Sequence, residues 1–395
     1  MSKHFFYITT FNVVCFPYCR KTKRKEGAVK ILSRILFTSI LFYLLVGCQG
    51  NIKQTAGKVL TFRKENAIDI TETDFFKNKT VIQLETNENA LIHRLPGLKK
   101  DGDNFFIYSR DEPLPVLRFD LKGNFLNTIG SRGQGPNEFS TVFDIFIDKE
   151  KSTVELLTFN KIIHFSYDGI PIKSKNFEIP ALSFSSVNSY YWFYIGTDNA
   201  YSKYRLLQTD EDFKITNEYI LNQSNMLSMW EYNFLQSPYH TFREFYNNNI
   251  YCIRNDSLLT SFSIKFPTME LPSEVHKMPP IEAFEFLQKC HYAYIKIYLE
   301  NEMYIYLQIG EIQEGKGMVL YHWIINKRNN YQEKILKVDL FKDPNFTDSY
   351  LVSPQLLTED NFLYFLGYPI EKENDDIDFD LNPSIVIINL KQILQ

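Results

Sequence analysis

VLRFDLKGNFLNTIGSRGQGPNEFSTVFDIFID, residues 116–148, is the stretch on which the fold turns. Val116 to Asp120 alternates apolar and polar side chains, the period-two pattern of a half-buried strand. Leu121-Lys122-Gly123-Asn124 comes next, and Gly and Asn tolerate the left-handed backbone of a tight hairpin. Phe125, Leu126 and Ile129 resume as a second strand. Gly130 to Pro136 is a crossing loop, because three more glycines or prolines after Gly130 remove both stiffness and ladder donors. From Thr141 the apolar pattern returns at Val142, Phe143, Ile145 and Ile147. The stretch joins the end of one antiparallel unit to the start of the next.

The loop does not read as a phosphate cradle. A P-loop needs Lys and Ser or Thr after its last glycine, and Pro136-Asn137 stands there instead. The dinucleotide fingerprint needs a glycine where Glu138 sits, then a helix, and the residues from Thr141 onward read as strand. The polar side chains Arg132, Gln134, Asn137 and Glu138 are candidates to line a pocket mouth. The competing reading has Asn137 and Glu138 bonding the loop's own amides.

Phe119-Asp120, Gly123, Ile129-Gly130 and Gly133-Gln-Gly-Pro-Asn-Glu-Phe139 together resemble a known signature. It is that of the six-bladed β-propeller lipoproteins of Gram-negative gut and oral bacteria, distant relatives of NHL-repeat propellers. Leu84-Glu85-Thr86 and Asn249-Ile250-Tyr251 fall where that family has similar short motifs. The resemblance spans roughly residues 81–390 and implies a fold rather than a chemistry. In such propellers, the loops from one blade's outer strand to the next blade's inner strand lie on the face where ligands sit.

Counting units along the chain points to the same architecture. Short aromatic strands, each entered through polar turn residues, begin at Asn104, Thr153, Tyr190, Asn249, Glu302 and Asn361, at intervals of 49, 37, 59, 53 and 59 residues. A four-stranded blade with its loops fits that spacing, so the expected fold is all-β, a six-bladed β-propeller over residues 58–395. Lys58–Arg63 and Thr80–Glu85 are strand-like and precede the first unit, so an N-terminal strand is expected to complete the sixth blade. PIEAFEFLQK, residues 280–289, carries helical spacing with Pro at its start and is expected as a helix inserted before blade five.

The N-terminus reads as an address. The first 47 residues hold eight of the 43 basic residues and one of the 47 acidic ones. Basic residues lead into an uncharged run from Ile35 to Val46, shorter than the roughly twenty residues a bilayer-spanning helix needs. Leu45-Val46-Gly47-Cys48 resembles a bacterial lipobox, which makes Cys48 the acylated first residue of the mature chain. Thirty-four residues ahead of the apolar run are too many for a signal, so translation is expected to start at Val29, with residues 1–28 outside the product. Residues 48–57 form a polar tether. The expected location is the outer membrane, facing the periplasm, with the membrane engaged through the lipid anchor.

Beyond Cys48 the chain keeps 35 basic and 46 acidic residues, a balance that argues against a nucleic-acid partner. Cys252 and Cys290 are compatible with a disulfide or with two free thiols. Asp376, Asp378 and Asp380 are spaced like the start of a calcium loop, but Leu381 and Ile387 stand where an EF-hand has Gly and Glu. A solvated acidic hairpin tip is the better reading. Trp230, between blades three and four, is a candidate stacking platform, or else packs under its own loop. Trp192 and Trp323 read as core.

His291 beside Cys290 is read as structural, since adjacent strand residues face opposite ways. No nucleophile or metal constellation is legible. The leading reading is therefore a non-enzymatic binding or scaffold module for a protein or glycan partner in the cell envelope, without a cofactor. The alternative is a propeller hydrolase or lyase with a divalent metal such as calcium in its central channel.

Overall fold

The computed structural model describes residues 57–92, 96–111, 114–196, 200–222, 232–314, 317–338, 350–369 and 381–393. Each aromatic run found in the sequence is a strand, and the strands assemble into six small sheets arranged as a β-propeller. Blade 1 holds Gly97–Asp101, Asn104–Tyr108, Val116–Asp120 and Phe125–Ile129 from the axis outward. Blade 2 holds Asp144–Asp148, Thr153–Leu157, Lys161–Ser166 and Pro171–Asn176, and blade 3 Ser183–Val187, Tyr190–Tyr194, Tyr204–Thr209 and Ile215–Leu221. Blade 5 runs through Tyr292–Glu300, Tyr304–Gln313, Gly317–Asn326 and Gln332–Val338. Blade 6 has Tyr350–Leu357, Phe362–Pro369 and Ser384–Asn389, and its outermost strand is Thr80–Gln83. The N-terminal strand thus closes the ring as expected.

Blade 4 departs from the sequence reading. Thr241–Arg243, Asn249–Arg254 and Ser257–Lys265 form its sheet. The run 232–236 lies along the axial side of Thr241–Arg243, through an antiparallel bridge Phe234–Phe242 and two amide bonds, Leu235 N to Thr241 O at 3.0 Å and Arg243 N to Asn233 O at 3.0 Å. Asn249–Arg254 is therefore third from the axis, where the corresponding aromatic runs of the other blades are second.

The N-terminal segment does more than close the ring. Lys58–Thr61 pairs in parallel with Ser257–Lys265, and Ala67–Asp69 pairs in parallel with Gln332–Val338, before Thr80–Gln83 joins blade 6. One strap covers the outer edges of three successive blades. An open outer strand presents unpaired amides and carbonyls, and the strap satisfies them on half of the wheel.

Packing is set by the radial arrangement, since a lone sheet cannot bury both faces. Among the described residues six apolar clusters fill the six seams between neighbouring blades. Phe106 and Val116 meet Ile145 and Val154 between blades 1 and 2, for example. Trp192 and Trp323 are fully buried in two of these seams, as the sequence suggests. A seventh, smaller cluster lies under the helix α1, Pro280–Leu287, where Ala283 and Leu287 pack on Val275 and Tyr292. Proline opens α1 as expected, and the helix stops two residues short of the predicted end.

The turns from third to fourth strand in blades 1, 2 and 3 share one hydrogen-bond scheme. Asp120 N bonds Asn124 O and Gly123 N bonds Asp120 O; Ser166 with Ile170 and Gly169 repeats this, as does Asp210 with Lys214 and Phe213. The side chain heading each turn caps it: Asp120 Oδ1 accepts from the amides of Lys122 and Asn124, Asp210 Oδ1 from those of Asp212 and Lys214, and Ser166 Oγ from that of Ile170. The fourth position needs a left-handed backbone, met by Gly123 (φ +87°), Gly169 (+79°) and Phe213 (+60°). A Cβ on Gly123 would also lie 2.2 Å from the Gln83 carbonyl oxygen of blade 6. Gly123→Ala is expected to cost more than the roughly 1–2 kcal/mol of the left-handed backbone alone. Gly102→Ala, at φ +50° with nothing within 4 Å, should show only that backbone cost. Urea midpoints of the two variants check this, and equal losses would refute the collision.

Strand direction sorts the connections onto two faces. On one face the turns 102–103, 121–124, 149–152, 167–170, 188–189, 210–214, 237–240, 255–256, 301–303, 327–331 and 358–361 are all five residues or shorter. The described parts of the longer connections between blade strands, 84–92, 109–111, 130–143, 177–182, 200–203 and 266–291, lie on the other, whereas the strap's own 70–79 joins the outer edges of blades 5 and 6. The wheel has a tight-turn face and a loop-rich face. Among the described residues no helix is long and apolar enough to cross a membrane.

Candidate functional site

Binding residues concentrate on loops held by a rigid scaffold, which directs attention to the loop-rich face. The glycine-rich crossing loop lies there. Ser131–Arg132 pairs in parallel with Glu138–Phe139, and Gly133 N donates to Phe139 O at 3.0 Å. Glu138 Oε2 accepts from Gly135 N at 2.8 Å, and Cβ atoms on Gly133 or Gly135 would meet that carboxylate. Lys161 Nζ caps the loop's carbonyls at Gly135 (3.0 Å) and Pro136 (3.1 Å). Glu138 is half-buried and serves its own loop, the second of the two roles open to it, whereas Arg132, Gln134 and Asn137 are exposed.

Beside this loop the connection 158–160 presents Phe159, 75% exposed. On α1, Ile281 (75%) and Phe284 (65%) point outward one turn apart, opposite the buried Ala283 and Leu287. These three are the most exposed large apolar side chains among the described residues, and all lie on the loop-rich face. Trp230, Cys48 and the Asp376, Asp378, Asp380 run lie outside the described residues.

Beneath the loops a polar cluster ties the inner strands of blades 1, 2 and 3. Asp144, wholly buried, accepts from Ser183 Oγ at 2.5 Å, Ile145 N at 2.8 Å, Tyr108 Oη at 3.2 Å and Phe184 N at 3.2 Å. Lys99 Nζ stands 3.5 Å from it and donates to Ile145 O. Arg110 donates to Phe143 O (2.9 Å) and Leu182 O (2.8 Å), with its guanidinium over the Tyr232 ring. Burial pushes the Tyr108 and Tyr232 hydroxyls well up, so both stay protonated at neutral pH. Asp144 is occupied by four donors and cannot activate Ser183 as a nucleophile. The cluster is a clamp. Its sequence signal is slight: one Asp opening an inner strand just after a glycine-rich loop.

Tyr232 and Gln236 bridge the axis. Blades 1 and 4 stand opposite in a ring of six, yet Gln236 Oε1 accepts from Lys100 N at 3.1 Å, and its Nε2 donates to Lys100 O. The Tyr232 ring meets Tyr108 of blade 1 at 5.0 Å. At this depth the chain's own side chains span the channel. Between blades 3 and 4, buried Glu244 takes a forked ion pair from Arg205, Nε to Oε1 at 2.8 Å and Nη2 to Oε2 at 2.9 Å, and a bond from Asn247. Burial raises the Glu244 carboxyl, with Arg205 opposing.

Cys252 and Cys290 are both free. Cys290 Sγ donates to Phe286 O at 3.2 Å, and burial raises its thiol. His291 turns instead to Glu311, Nε2 to Oε1 at 2.7 Å, as the structural reading of the pair requires. Glu311 also accepts from Lys64 of the strap (2.6 Å) and from Tyr321 (2.6 Å), and despite its burial these bonds hold its carboxyl down at about 2. Among the described residues no group of three or more His, Cys, Asp or Glu is placed to hold a metal ion.

Comparison with known proteins fits this architecture. A family profile described as a domain of unknown function, DUF4934, matches residues 58–388. A search of curated proteins finds no match. Among solved structures, a Bacteroides fragilis protein described as exported is 13% identical, with a TM-score of 0.68 over 84% of this chain and 99% of its own. A member of the DUF4221 family from Bacteroides vulgatus is 12% identical, with a TM-score of 0.49 over 79% and 96%. At 13% identity the likeness to the Bacteroides fragilis protein is one of fold.

Proposed function

The chain belongs to the family described as a domain of unknown function, DUF4934, and on that footing we propose that it is an exported, lipid-anchored propeller that binds a protein or glycan partner in the cell envelope through its loop-rich face, without catalysis. The observation that carries this reading is the asymmetry of the wheel. Among the described residues, the connections between blade strands that exceed five residues, and the apolar side chains Phe159, Ile281 and Phe284, share one face. Aromatic and aliphatic side chains held proud of a rigid scaffold are what an interface core uses. Exposed Arg132, Gln134 and Asn137 lie on the same face and suit the polar rim of such a contact. The lipobox-like Leu45–Cys48 supports the anchor, and the described export of the Bacteroides fragilis relative accords with an envelope address.

The test is capture from envelope extract and on a glycan array with the full chain, beside Phe159→Ser/Phe284→Ser and, on the tight-turn face, Ile170→Ser. Binding should fall at least about tenfold in the first variant, since buried anchors contribute about 2 kcal/mol or more each, and stay near wild type in the second. Absence of any partner, or equal loss in both variants, refutes the proposal. Mass spectrometry of the mature N-terminus tests the anchor separately: an acylated Cys48 is expected, and an unmodified one overturns it.

A further inference from the structure

The turns from third to fourth strand in blades 1, 2 and 3 share more than a hydrogen-bond scheme. Each is followed at once by a bulge in the outermost strand. Phe119 pairs with Phe125 and Arg118 with Asn127, which leaves Leu126 unopposed. Ile172 is left between the pairs Phe165–Pro171 and His164–Lys173, and Thr216 between Thr209–Ile215 and Gln208–Asn217. A bulge re-aims its side chain, and Leu126 and Ile172 are 45% and 56% exposed. The turns add Leu121, Ile170 and, one residue further on, Ile215, all exposed. Asn127 Nδ2 donates to Tyr167 O at 3.1 Å, so the turn of blade 2 lies against the outer strand of blade 1. The aliphatic side chains of these two blades therefore share one corner of the tight-turn face.

A lysine stands next to an exposed aliphatic residue in all three blades: Leu121-Lys122, Ile172-Lys173 and Lys214-Ile215. The three lysines are exposed, and among the described residues their ammonium groups make no hydrogen bond or ion pair. The acids of the turns are occupied. Asp120 and Asp210 hold backbone amides, Asp168 pairs with Arg118 at 2.9 Å and Asp212 with Lys175 at 2.5 Å, which leaves Glu211. Counted with Arg118 and Lys175, five cations offset five acids, so no broad field extends from the corner. What it offers is local: an aliphatic side chain with a free ammonium group beside it, repeated blade by blade.

We propose that this corner docks on a lipid surface, with Leu121, Ile170 and Ile172 entering the acyl boundary while Lys122, Lys173 and Lys214 reach headgroup phosphates. Lysine suits that depth, because its stem lies among apolar groups while its charge stays at the headgroups. An arc over three blades fits a plane, whereas a protein partner would gather its anchors into one pocket. The course of the chain agrees. Lys58–Thr61 runs parallel to Ser257–Lys265, away from the turn 255–256, so the strap heads away from the tight-turn face. Nine residues separate Cys48 from Gly57, and acyl chains on Cys48 would hold the wheel within about 32 Å of a bilayer. The proposal shares that anchor with the reading above and goes beyond it. With the tight-turn face on lipid, the loop-rich face is turned to partners in the aqueous space.

The experiment reads tryptophan fluorescence of the full chain on vesicles of phosphatidylethanolamine and phosphatidylglycerol with brominated acyl chains, in Ile170→Trp and Phe159→Trp. The native Trp192 and Trp323 are wholly buried and contribute equally to both. Quenching is expected in Ile170→Trp and not in Phe159→Trp, which reports the opposite face. Adding Lys122→Gln/Lys173→Gln/Lys214→Gln should weaken docking about a hundredfold and so abolish the quenching. The same loss is expected on vesicles of brominated phosphatidylcholine alone. Equal quenching at both positions, quenching at Phe159→Trp only, none at either, or quenching that survives removal of the lysines overturns the site. Lysine-dependent capture of polyglutamate without quenching overturns it in favour of an acidic protein. Acylation of Cys48 is read separately by mass, so loss of the anchor and loss of the lipid-facing corner are told apart.

Discussion

Phe62→Ala is expected to lower stability by about 3–5 kcal/mol, the usual cost of emptying a fully buried aromatic site. Phe62 sits just past the first strap strand and is 1% exposed. Its ring lies edge-on to Tyr321 at 5.3 Å, Trp323 at 5.5 Å and Phe266 at 5.9 Å, so it plugs the seam between blades 4 and 5. Its amide donates to Lys265 O at 2.9 Å, continuing the parallel pairing of Lys58–Thr61. Leu60, Ile70 and Phe75 are buried along the same strap, where Phe75 does the same between blades 5 and 6 against His322 and Phe365. Loss of this anchor frees the outer edges of blades 4 and 5 together. The urea midpoint of the full chain, read by tryptophan fluorescence, measures the loss. Val59→Ala, half exposed on the same strand, should stay within about 0.5 kcal/mol of wild type. Comparable midpoints for the two variants would mean that the strap is ornamental.

The strap marks where reading the sequence succeeds and where it stops. Alternation in Lys58–Arg63 and Thr80–Glu85 identifies strands, because period two is a local property of the chain. The partner of a strand is not local. Thr80–Gln83 pairs with residues some 300 positions away, and its placement comes from the need to close a ring. Nothing comparable compels Lys58–Thr61 to lie parallel to blade 4, or Ala67–Asp69 to add a fifth strand to blade 5.

The inner run of blade 4 escapes a sequence reading for a different reason. Tyr232-Asn-Phe-Leu-Gln236 spends Asn233 and Gln236 on backbone partners and buries Phe234 between blades 3 and 4, so its five residues carry no clean alternation to signal a strand. Glu138 is legible because a carboxylate three residues after a glycine can reach back to that glycine's amide. Asp144, Arg205 and Glu244 are not legible. Each acts through residues on another blade or on a connection that the sequence does not place.

Acidification should reveal His322 before the carboxylates respond. Burial lowers its pKa from 6.5 to about 3, with the Lys296 charge acting the same way. The native ring therefore stays neutral down to about pH 3, while the unfolded chain takes up its proton below about 6.5. Stability then falls as pH falls through that window, by about 1.4 kcal/mol per pH unit and about 5 kcal/mol in all. Glu311, held down at about 2, adds its own loss only below its ordinary value of 4.5. His240 and His276 are also lowered by burial and contribute in the upper window, so the wild-type slope alone does not isolate His322. A double variant does. His322→Phe with Tyr306→Phe removes both partners of the buried hydrogen bond at nearly constant shape, which is close to neutral at pH 7. The packing against Phe75, Phe76 and Phe365 is kept. Between pH 6.5 and 4.5 wild type should lose about 3 kcal/mol more than the double variant, read from urea midpoints at each pH. Parallel pH profiles would show that the imidazole is not held neutral.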